Sequence, residues 1–132
     1  MKSIFVAFTV LILFIISCSE ELVYQVKITD PAEHNMKFIP QNPNSNDEIK
    51  LVIYDDCNYN ILSGIKQNGK IIDIEKKFNG MLKWPCMMRN DTILIGKLPE
   101  GTYMINYKLI DIANQALPKI TLSFTFNLVV TG

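Results

Sequence analysis

The side chains that could perform chemistry in this chain are few and scattered. The single histidine, His34, lies in a segment rich in proline and asparagine, and Glu33 beside it would point away from it in an extended backbone. A general base needs an orienting partner and a substrate proton within hydrogen-bond reach, so we interpret His34 as a solvated loop residue. Glycine-rich phosphate loops and the serine and histidine motifs of hydrolases are absent from the sequence. We therefore predict no catalytic residues, no cofactor and no enzymatic activity.

Metal binding also finds little support in the sequence. The adjacent carboxylates Asp55 and Asp56 could supply oxygen ligands to Ca²⁺. No spaced series of Asp, Asn and Gly follows them, and we interpret the pair as solvated side chains at the end of a strand. One histidine and three widely separated cysteines are too few for a zinc site. We predict no metal.

Length and charge exclude further classes of function. The chain has 132 residues, which suits one domain, and its 13 basic side chains are balanced by 13 acidic ones. A surface that binds phosphate backbones normally carries a clear excess of Lys and Arg. A nucleic-acid partner is therefore not expected.

Residues 1–17 have the composition of a secretory signal peptide. Lys2 supplies a positive charge, and an apolar run from Ile4 to Ile16 is interrupted only by Thr9. The run is shorter than the roughly 20 residues that a helix needs to cross a bilayer. The alternative is a membrane-anchor helix that is never cleaved.

The motif Ile15-Ile16-Ser17-Cys18 resembles the lipobox of bacterial lipoproteins. The resemblance implies that Cys18 is acylated, with diacylglycerol on sulfur and a chain such as palmitate on nitrogen, and becomes the first residue of the mature protein. Residues 18–132 would then form a single domain behind a short N-terminal tether. Ser19, in the position after Cys18, resembles the sorting pattern of lipoproteins sent to the outer membrane. The stretch Cys18-Ser19-Glu20-Glu21 resembles the acidic export tag of surface-exposed lipoproteins. The expected location is the outer membrane, facing either the periplasm or the cell exterior.

With Cys18 assigned to the anchor, the remaining cysteines are Cys57 and Cys86. In an oxidising envelope compartment such a pair is expected to form a disulfide. The bridge would close a loop of about 29 residues. The alternative is a thiol pair used for metal or redox chemistry.

The mature chain shows the alternation of apolar and polar residues that is typical of β-strands. It runs through residues 22–28, 49–54, 101–111 and 119–130, and a further short strand is expected at 36–39. Asn68-Gly69 is a strong hairpin signal and Asn79-Gly80 repeats it. The pattern predicts an all-β fold, an antiparallel β-sandwich of about seven strands.

The segment from Leu98 to Tyr103 resembles the corner that precedes a late strand in immunoglobulin-like sandwiches. The resemblance implies an immunoglobulin-like domain in which the Tyr103 hydroxyl bonds back to the preceding backbone while Leu98 packs below. No cysteine follows Tyr103 at the antibody spacing, so the Cys57–Cys86 bridge is not expected to be the inter-sheet disulfide of antibodies.

The stretch from Met81 to Arg89 is the best candidate for a binding site. It combines the only tryptophan and the only arginine with three of the six methionines, residue types that are common at interfaces. The candidate binding residues are Trp84, Met87, Met88 and Arg89. The alternative is that Trp84 caps the core and the methionines fill gaps beneath it.

These observations favour a lipid-anchored, non-enzymatic interaction module with a protein or glycan partner. Two alternatives stay open: a subunit of a surface assembly, such as a pilus-like or transport accessory protein, and a small inhibitor of proteases or host enzymes. The uncharged face of residues 121–127 suits the assembly, and the Trp84 loop suits the inhibitor. Asp91-Thr92-Ile93 resembles a bacterial O-glycosylation acceptor, but three-residue patterns recur by chance and we favour a plain turn into a strand.

Overall fold

The computed structural model describes residues 26–82 and 85–132, which form two β-sheets packed face to face. A short 3₁₀ helix, η1 (Pro31–His34), precedes the first strand. The three-stranded sheet has the order β1 (Met36–Ile39), β2 (Ile49–Cys57) and β5 (Met88–Gly96). The four-stranded sheet has the order β3 (Ile61–Asn68), β4 (Ile71–Phe78), β6 (Gly101–Asp111) and β7 (Lys119–Val130). The predicted all-β sandwich of seven strands is confirmed.

The strand pairing departs from the antiparallel prediction at one place. All neighbours run antiparallel except β4 and β6, which are parallel over the whole of β4. Parallel neighbours need a crossover connection, and here β5 in the opposite sheet provides it. In immunoglobulin domains the third strand lies beside the sixth, whereas here the fourth strand takes that place. The third strand, β3, is consequently an edge strand with mostly exposed side chains.

The core lies between the inward faces of the two sheets. Alternate residues of β6 are buried along almost its full length, as period-two alternation predicts. Each large apolar side chain buried here contributes roughly 1.5–3 kcal/mol relative to exposure. The three-stranded sheet supplies Met36, Phe38, Ile49, Leu51, Ile53 and Ile93, and the four-stranded sheet supplies Ile72, Ile74, Tyr103, Ile105, Tyr107, Leu109, Phe126, Leu128 and Val130.

The two Asn-Gly sequences behave differently. Asn68 pairs with Ile71 at the end of the predicted β3–β4 hairpin, and Gly69 occupies the turn with a φ of 59°. That positive φ suits glycine because it has no side chain to clash. Asn79-Gly80 instead begins the connection from β4 to β5, which lie in different sheets, so the predicted second hairpin is wrong.

At the beginnings of two predicted strands the structure differs from the prediction. The strand expected at residues 22–28 is described only from residue 26, where Ile28 makes one isolated bridge to Thr125. The strand expected from Lys119 onward forms as β7, but Ile120 and Leu122 are exposed and burial begins near Phe124. The alternation correctly identified the strand, while burial depends on what lies opposite each part of it.

Candidate functional site

The structure joins Cys57 and Cys86 in a disulfide, with 5.5 Å between their Cα atoms. Cys57 ends β2, and Cys86 lies just before β5 in the same sheet. The bridge therefore ties two neighbouring parts of one sheet, and it differs from the inter-sheet disulfide of antibodies as expected. Cys18, the predicted lipidation site, and the signal segment 1–17 lie outside the described residues.

The predicted binding segment is held next to this bridge. The backbone amide of Asn58 donates a hydrogen bond of 3.1 Å to the carbonyl oxygen of Met87. The amide of Met87 donates one of the same length to Oδ1 of Asn58. Met87 and Met88 remain 70% and 66% exposed, and Arg89 is also exposed. Trp84 lies outside the described residues, so its proposed place at the core or the surface stays a prediction.

Several other elements bring apolar side chains to the same end of the sandwich. The register places the end of β2, the start of β3, the end of β4 and the β6–β7 turn together. We call this end, with loops 58–60, 79–82, 85–87 and 112–118, the disulfide pole. The exposed large apolar side chains there are Ile61, Leu62, Met81, Leu82, Met87, Met88, Leu117, Ile120 and Leu122. Within the predicted binding stretch, the described residues Met81, Leu82, Met87 and Met88 therefore supply only part of the exposed apolar side chains at this pole.

A shallow pocket of about 330 Å³ opens at the disulfide pole. Met88 and Cys57 line one side, and Leu109 and Leu122 line the other. Tyr107 and Asp56 lie in its lining as well, so the pocket extends from the exposed apolar side chains to one buried carboxylate.

A second groove, of about 720 Å³, lies away from the disulfide bridge between η1, β1 and β7. Ile28, Phe38, Tyr54 and Val129 are among its lining residues. Of the sequence-predicted binding residues that the structure describes, Met87, Met88 and Arg89, none lines this groove. We place the candidate site at the pole because both the disulfide and the clustered exposed apolar side chains are there.

A lysine that sequence analysis did not single out lies completely buried beneath the pole. Lys76 on β4 contacts a carboxylate oxygen of Asp56 on β2, and its Nζ lies 2.5 Å from Oδ2 of Asp91 on β5. The exposed fraction of the side chain is 0% for Lys76, 7% for Asp56 and 32% for Asp91. The ion pairs thus span the two sheets.

A β-bulge places Asp56 in this cluster. One extra residue of β2 is inserted between Ile53 and Asp56 relative to β5, and Asp55 adopts a φ of 52°. Without that insertion, alternation from Ile53 would turn Asp55 inward and Asp56 outward. Our interpretation of both aspartates as solvated is therefore wrong for Asp56, although Asp55 is exposed.

The environment of the cluster shifts the pKa of Asp91, one of its members, and of the neighbouring Tyr107. Desolvation alone would raise the pKa of Asp91, but the hydrogen bond and charge of Lys76, the Thr92 amide and the Arg89 charge together bring it below its usual value. Burial, followed by the negative charges of Asp56 and Asp91, raises the pKa of Tyr107 far above its ordinary value. Asn60 Nδ2 donates a 2.7 Å hydrogen bond to Oδ1 of Asp56, which satisfies the other oxygen of that carboxylate.

The sequence contains an indication of this cluster, because Lys76 and Asp91 fall on the apolar, inward-facing positions of their alternating strands. Lys76 follows Ile72 and Ile74 on the inward face of β4, and Asp91 precedes Ile93 on the inward face of β5. A charged residue in phase with core residues indicates a buried ion pair. Only the bulge at Asp55 has no comparable signal in the sequence.

His34 is not a freely solvated loop residue. Its ring stacks on Phe124 with 3.7 Å between centroids, and Nε2 lies 3.0 Å from the Thr29 hydroxyl oxygen. His34 is half-buried as a result, so the solvated interpretation is wrong. The contacts are those of a packing residue.

Thr92, in the proposed glycosylation motif, is exposed on the outer face of β5, and its partner Asp91 points inward. The exposure is compatible with modification, which stays a prediction.

Across residues 26–82 and 85–132, no group of three His, Cys, Asp or Glu side chains is arranged to hold a metal ion. Within the same residues, no helix is long and apolar enough to cross a membrane.

Comparisons with known protein families, characterised proteins and solved structures found no match to this chain.

Proposed function

We propose that this chain is a lipid-anchored protein of the bacterial outer membrane whose sandwich domain binds a protein partner at the disulfide pole. One observation carries the proposal: exposed apolar side chains from several elements lie at the same end of the domain. Contiguous exposed apolar patches mark interaction sites on soluble domains. The role is that of a binding module rather than of an enzyme.

The construction of the pole supports this assignment. The Cys57–Cys86 bridge and the paired hydrogen bonds between Asn58 and Met87 hold residues 86–88 in one conformation. A preorganised loop loses less conformational entropy when it binds. Met87 and Met88 have flexible, polarisable side chains that adapt to an apolar partner surface, and Arg89 beside them can add hydrogen bonds at the rim.

The lipobox resemblance and the disulfide support the proposed location at the outer membrane. The lipobox residues before Cys18 and the disulfide between Cys57 and Cys86 both suit an exported chain, because disulfides persist in oxidising compartments. Acyl chains on one residue attach a protein durably, at about 0.8 kcal/mol per buried methylene. A Cys18→Ser variant should lose labelling by a palmitate analogue and leave the membrane fraction. Retention of both would contradict the anchor.

Site-specific photo-cross-linking in living cells tests the binding surface. A photoreactive residue at Met88 should yield a covalent adduct with a defined envelope protein. The matched control is Gln67, which is exposed near the β3–β4 turn at the opposite end of the domain. Equal adducts from both positions, or adducts from Gln67 alone, would contradict the proposal. An adduct removed by glycosidase and not by protease would identify a glycan instead.

A second candidate, a subunit of a surface assembly, is favoured by one observation. Strand β7 is an edge of the four-stranded sheet, and residues 120–124, which precede the Ile28–Thr125 bridge, carry no charged side chain to discourage pairing with another strand. This candidate predicts a ladder of multiples of the chain mass when whole cells are treated with a chemical cross-linker. A single hetero-adduct without a ladder would favour the binding module.

A further inference from the structure

The Lys76 cluster has an unusual composition for the interior of a small domain. One fully buried ammonium contacts two carboxylates, and one of those, Asp56, is itself almost fully buried. Taking ions out of water is unfavourable unless their geometry and further hydrogen bonds compensate for the lost hydration. As ions, the three groups would leave a net negative charge beneath the pole. A reaction that removes two of the charges would relieve that cost.

We propose that Lys76 and Asp56 condense to an amide bond, a self-formed covalent link between the two sheets of the sandwich. The bond joins Nζ of Lys76 to Cγ of Asp56. It turns the most buried ion pair of the cluster into a neutral amide, and leaves Asp91 as the only charged member. Asp91 is the group best able to keep its charge, because it is partly exposed and its Oδ1 accepts a hydrogen bond from the Thr92 amide.

The reaction balances without any other reactant. The Lys76 ammonium passes one proton to the Asp56 carboxylate, and the resulting amine attacks Cγ of the neutral carboxyl group. The nitrogen then gives a second proton to the Asp91 carboxylate, which returns it to the departing hydroxyl. The C–N bond forms, the C–O bond breaks, one water leaves, and Asp91 ends as it began. No electrons are transferred to or from any other group.

The positions of the two aspartates assign their roles. Asp56 is the electrophile because it is the more buried and because Asn60 Nδ2 donates a hydrogen bond to its Oδ1, the oxygen on which charge develops during attack. Asp91 is the proton carrier because its Oδ2 lies 2.5 Å from Lys76 Nζ, and its greater exposure gives the released water a route outward. The lowered pKa of Asp91 agrees with a carboxylate that is ionised at rest.

The scaffold brings the reacting groups together before reaction. Lys76 belongs to β4 and the aspartates to β2 and β5, so each is held by a paired strand rather than by a loop. Groups held in reactive contact can have effective concentrations of about 10⁵–10⁸ M. Such values favour condensation in a site that largely excludes water. The link would lie one residue from Cys57 and give the disulfide pole a second covalent tie.

Peptide mapping of the purified full-length protein after reduction and complete denaturation tests the proposal. Trypsin cannot cleave after a lysine whose amine is acylated. We expect a branched product in which residues 51–66 are joined to residues 71–77, with the summed mass of both peptides less one water. Unmodified peptides that end at Lys76, even after prolonged incubation of the folded protein, would overturn the proposal. A branch from Lys76 to residues 90–97 would overturn the assignment of Asp56 as the electrophile.

An Asp91→Asn variant tests the proton carrier while preserving the shape of the side chain. We expect it to fold, as judged by circular dichroism, and to lack the branched peptide. The matched control is Asp73→Asn. Asp73 also lies on β4, but it accepts a hydrogen bond from Asn106 and does not contact Lys76. The control should form the branch to the same extent as the wild type. Full branching in Asp91→Asn would overturn the role of Asp91.

Discussion

The Tyr103 hydroxyl donates a hydrogen bond of 2.8 Å to the carbonyl oxygen of Pro99, four residues earlier in the chain. Leu98 packs in the core beside it, and Tyr103 is almost completely buried. This is the tyrosine corner that the segment 98–103 predicts, and it fixes the crossing of the chain from β5 into β6. Lys70 also lies 3.2 Å from the same hydroxyl, so the corner is tied to the β3–β4 turn.

Replacing Tyr103 with Phe should remove this bond and leave the Pro99 carbonyl without its side-chain donor. We expect the free energy of unfolding to fall by about 0.5–1.5 kcal/mol, the net worth of a hydrogen bond of this kind. Urea unfolding followed by fluorescence would measure the change. Tyr54→Phe is the control, because Tyr54 is exposed and a surface change should stay within about 0.5 kcal/mol. Equal effects of both substitutions would contradict a role for the corner.

Removal of the disulfide should lower stability substantially. A Cys57→Ser, Cys86→Ser double variant frees a loop with a sequence separation of 29 residues. The chain-entropy model predicts a loss of about 3–4 kcal/mol. Urea unfolding of the variant and of the reduced wild-type protein should give similar midpoints. A reduced protein as stable as the oxidised one would show that the bridge does not constrain the unfolded chain.

Lys76 should be far more sensitive to substitution than other lysines of the domain. Lys76→Ala removes the partner of Asp56, whether ionic or covalent, and leaves a buried carboxylate unpaired. Leaving a buried charge without its partner typically costs about 3–5 kcal/mol. Lys66→Ala, on exposed strand β3, should stay within about 0.5 kcal/mol. Thermal unfolding of both variants would measure the difference. Similar melting temperatures would mean that the contacts of Lys76 with Asp56 and Asp91 contribute little to stability.

Asp111 should make the stability of the domain depend on acid pH. Backbone amides of Ala113 and Gly80 each donate a 2.8 Å hydrogen bond to its Oδ1, and these bonds hold the pKa of Asp111 below its ordinary value. Because the folded pKa lies below the unfolded pKa of about 3.9, the carboxylate stabilises the fold above that pH. The contribution disappears as the pH falls through the folded pKa.

An Asp111→Asn variant should therefore differ most from the wild type near neutral pH, and the gap in melting temperature should shrink on acidification. Thermal unfolding over a series of pH values would measure it. A gap that stays constant or widens in acid would contradict the assignment.

Much of the fold follows from local sequence patterns. The alternation in residues 101–111 and the Asn68-Gly69 turn predict β6 and the β3–β4 hairpin, because side-chain direction and turn geometry depend on neighbouring residues. The strand order does not follow in the same way. Either strand of the hairpin could have paired with β6, and that choice depends on how the whole inward face of β4 packs against the opposite sheet.

The candidate site likewise contains some residues that the sequence could identify and others that only the structure could. Met87, Met88 and Arg89 could be singled out from their residue types, and the structure places all three at the exposed pole beside the disulfide. The contribution of Leu117 and Leu122 could not, because those residues reach the pole only when the β6–β7 hairpin is aligned with the end of β2. Long-range register brings together surfaces that are distant in the chain.

The sequence by itself determined the strands, their inward faces, the tyrosine corner and the cysteines available for a bridge, since each depends on residue type and short-range periodicity. Only the tertiary structure decided that Asp56 turns inward to Lys76. One extra residue in the Asp55 bulge reverses the phase of β2, and Asp56 and Lys76 lie in different sheets. A phase shift of one residue moves a side chain from solvent to core. For that reason the three charges beneath the disulfide pole meet only in the folded molecule.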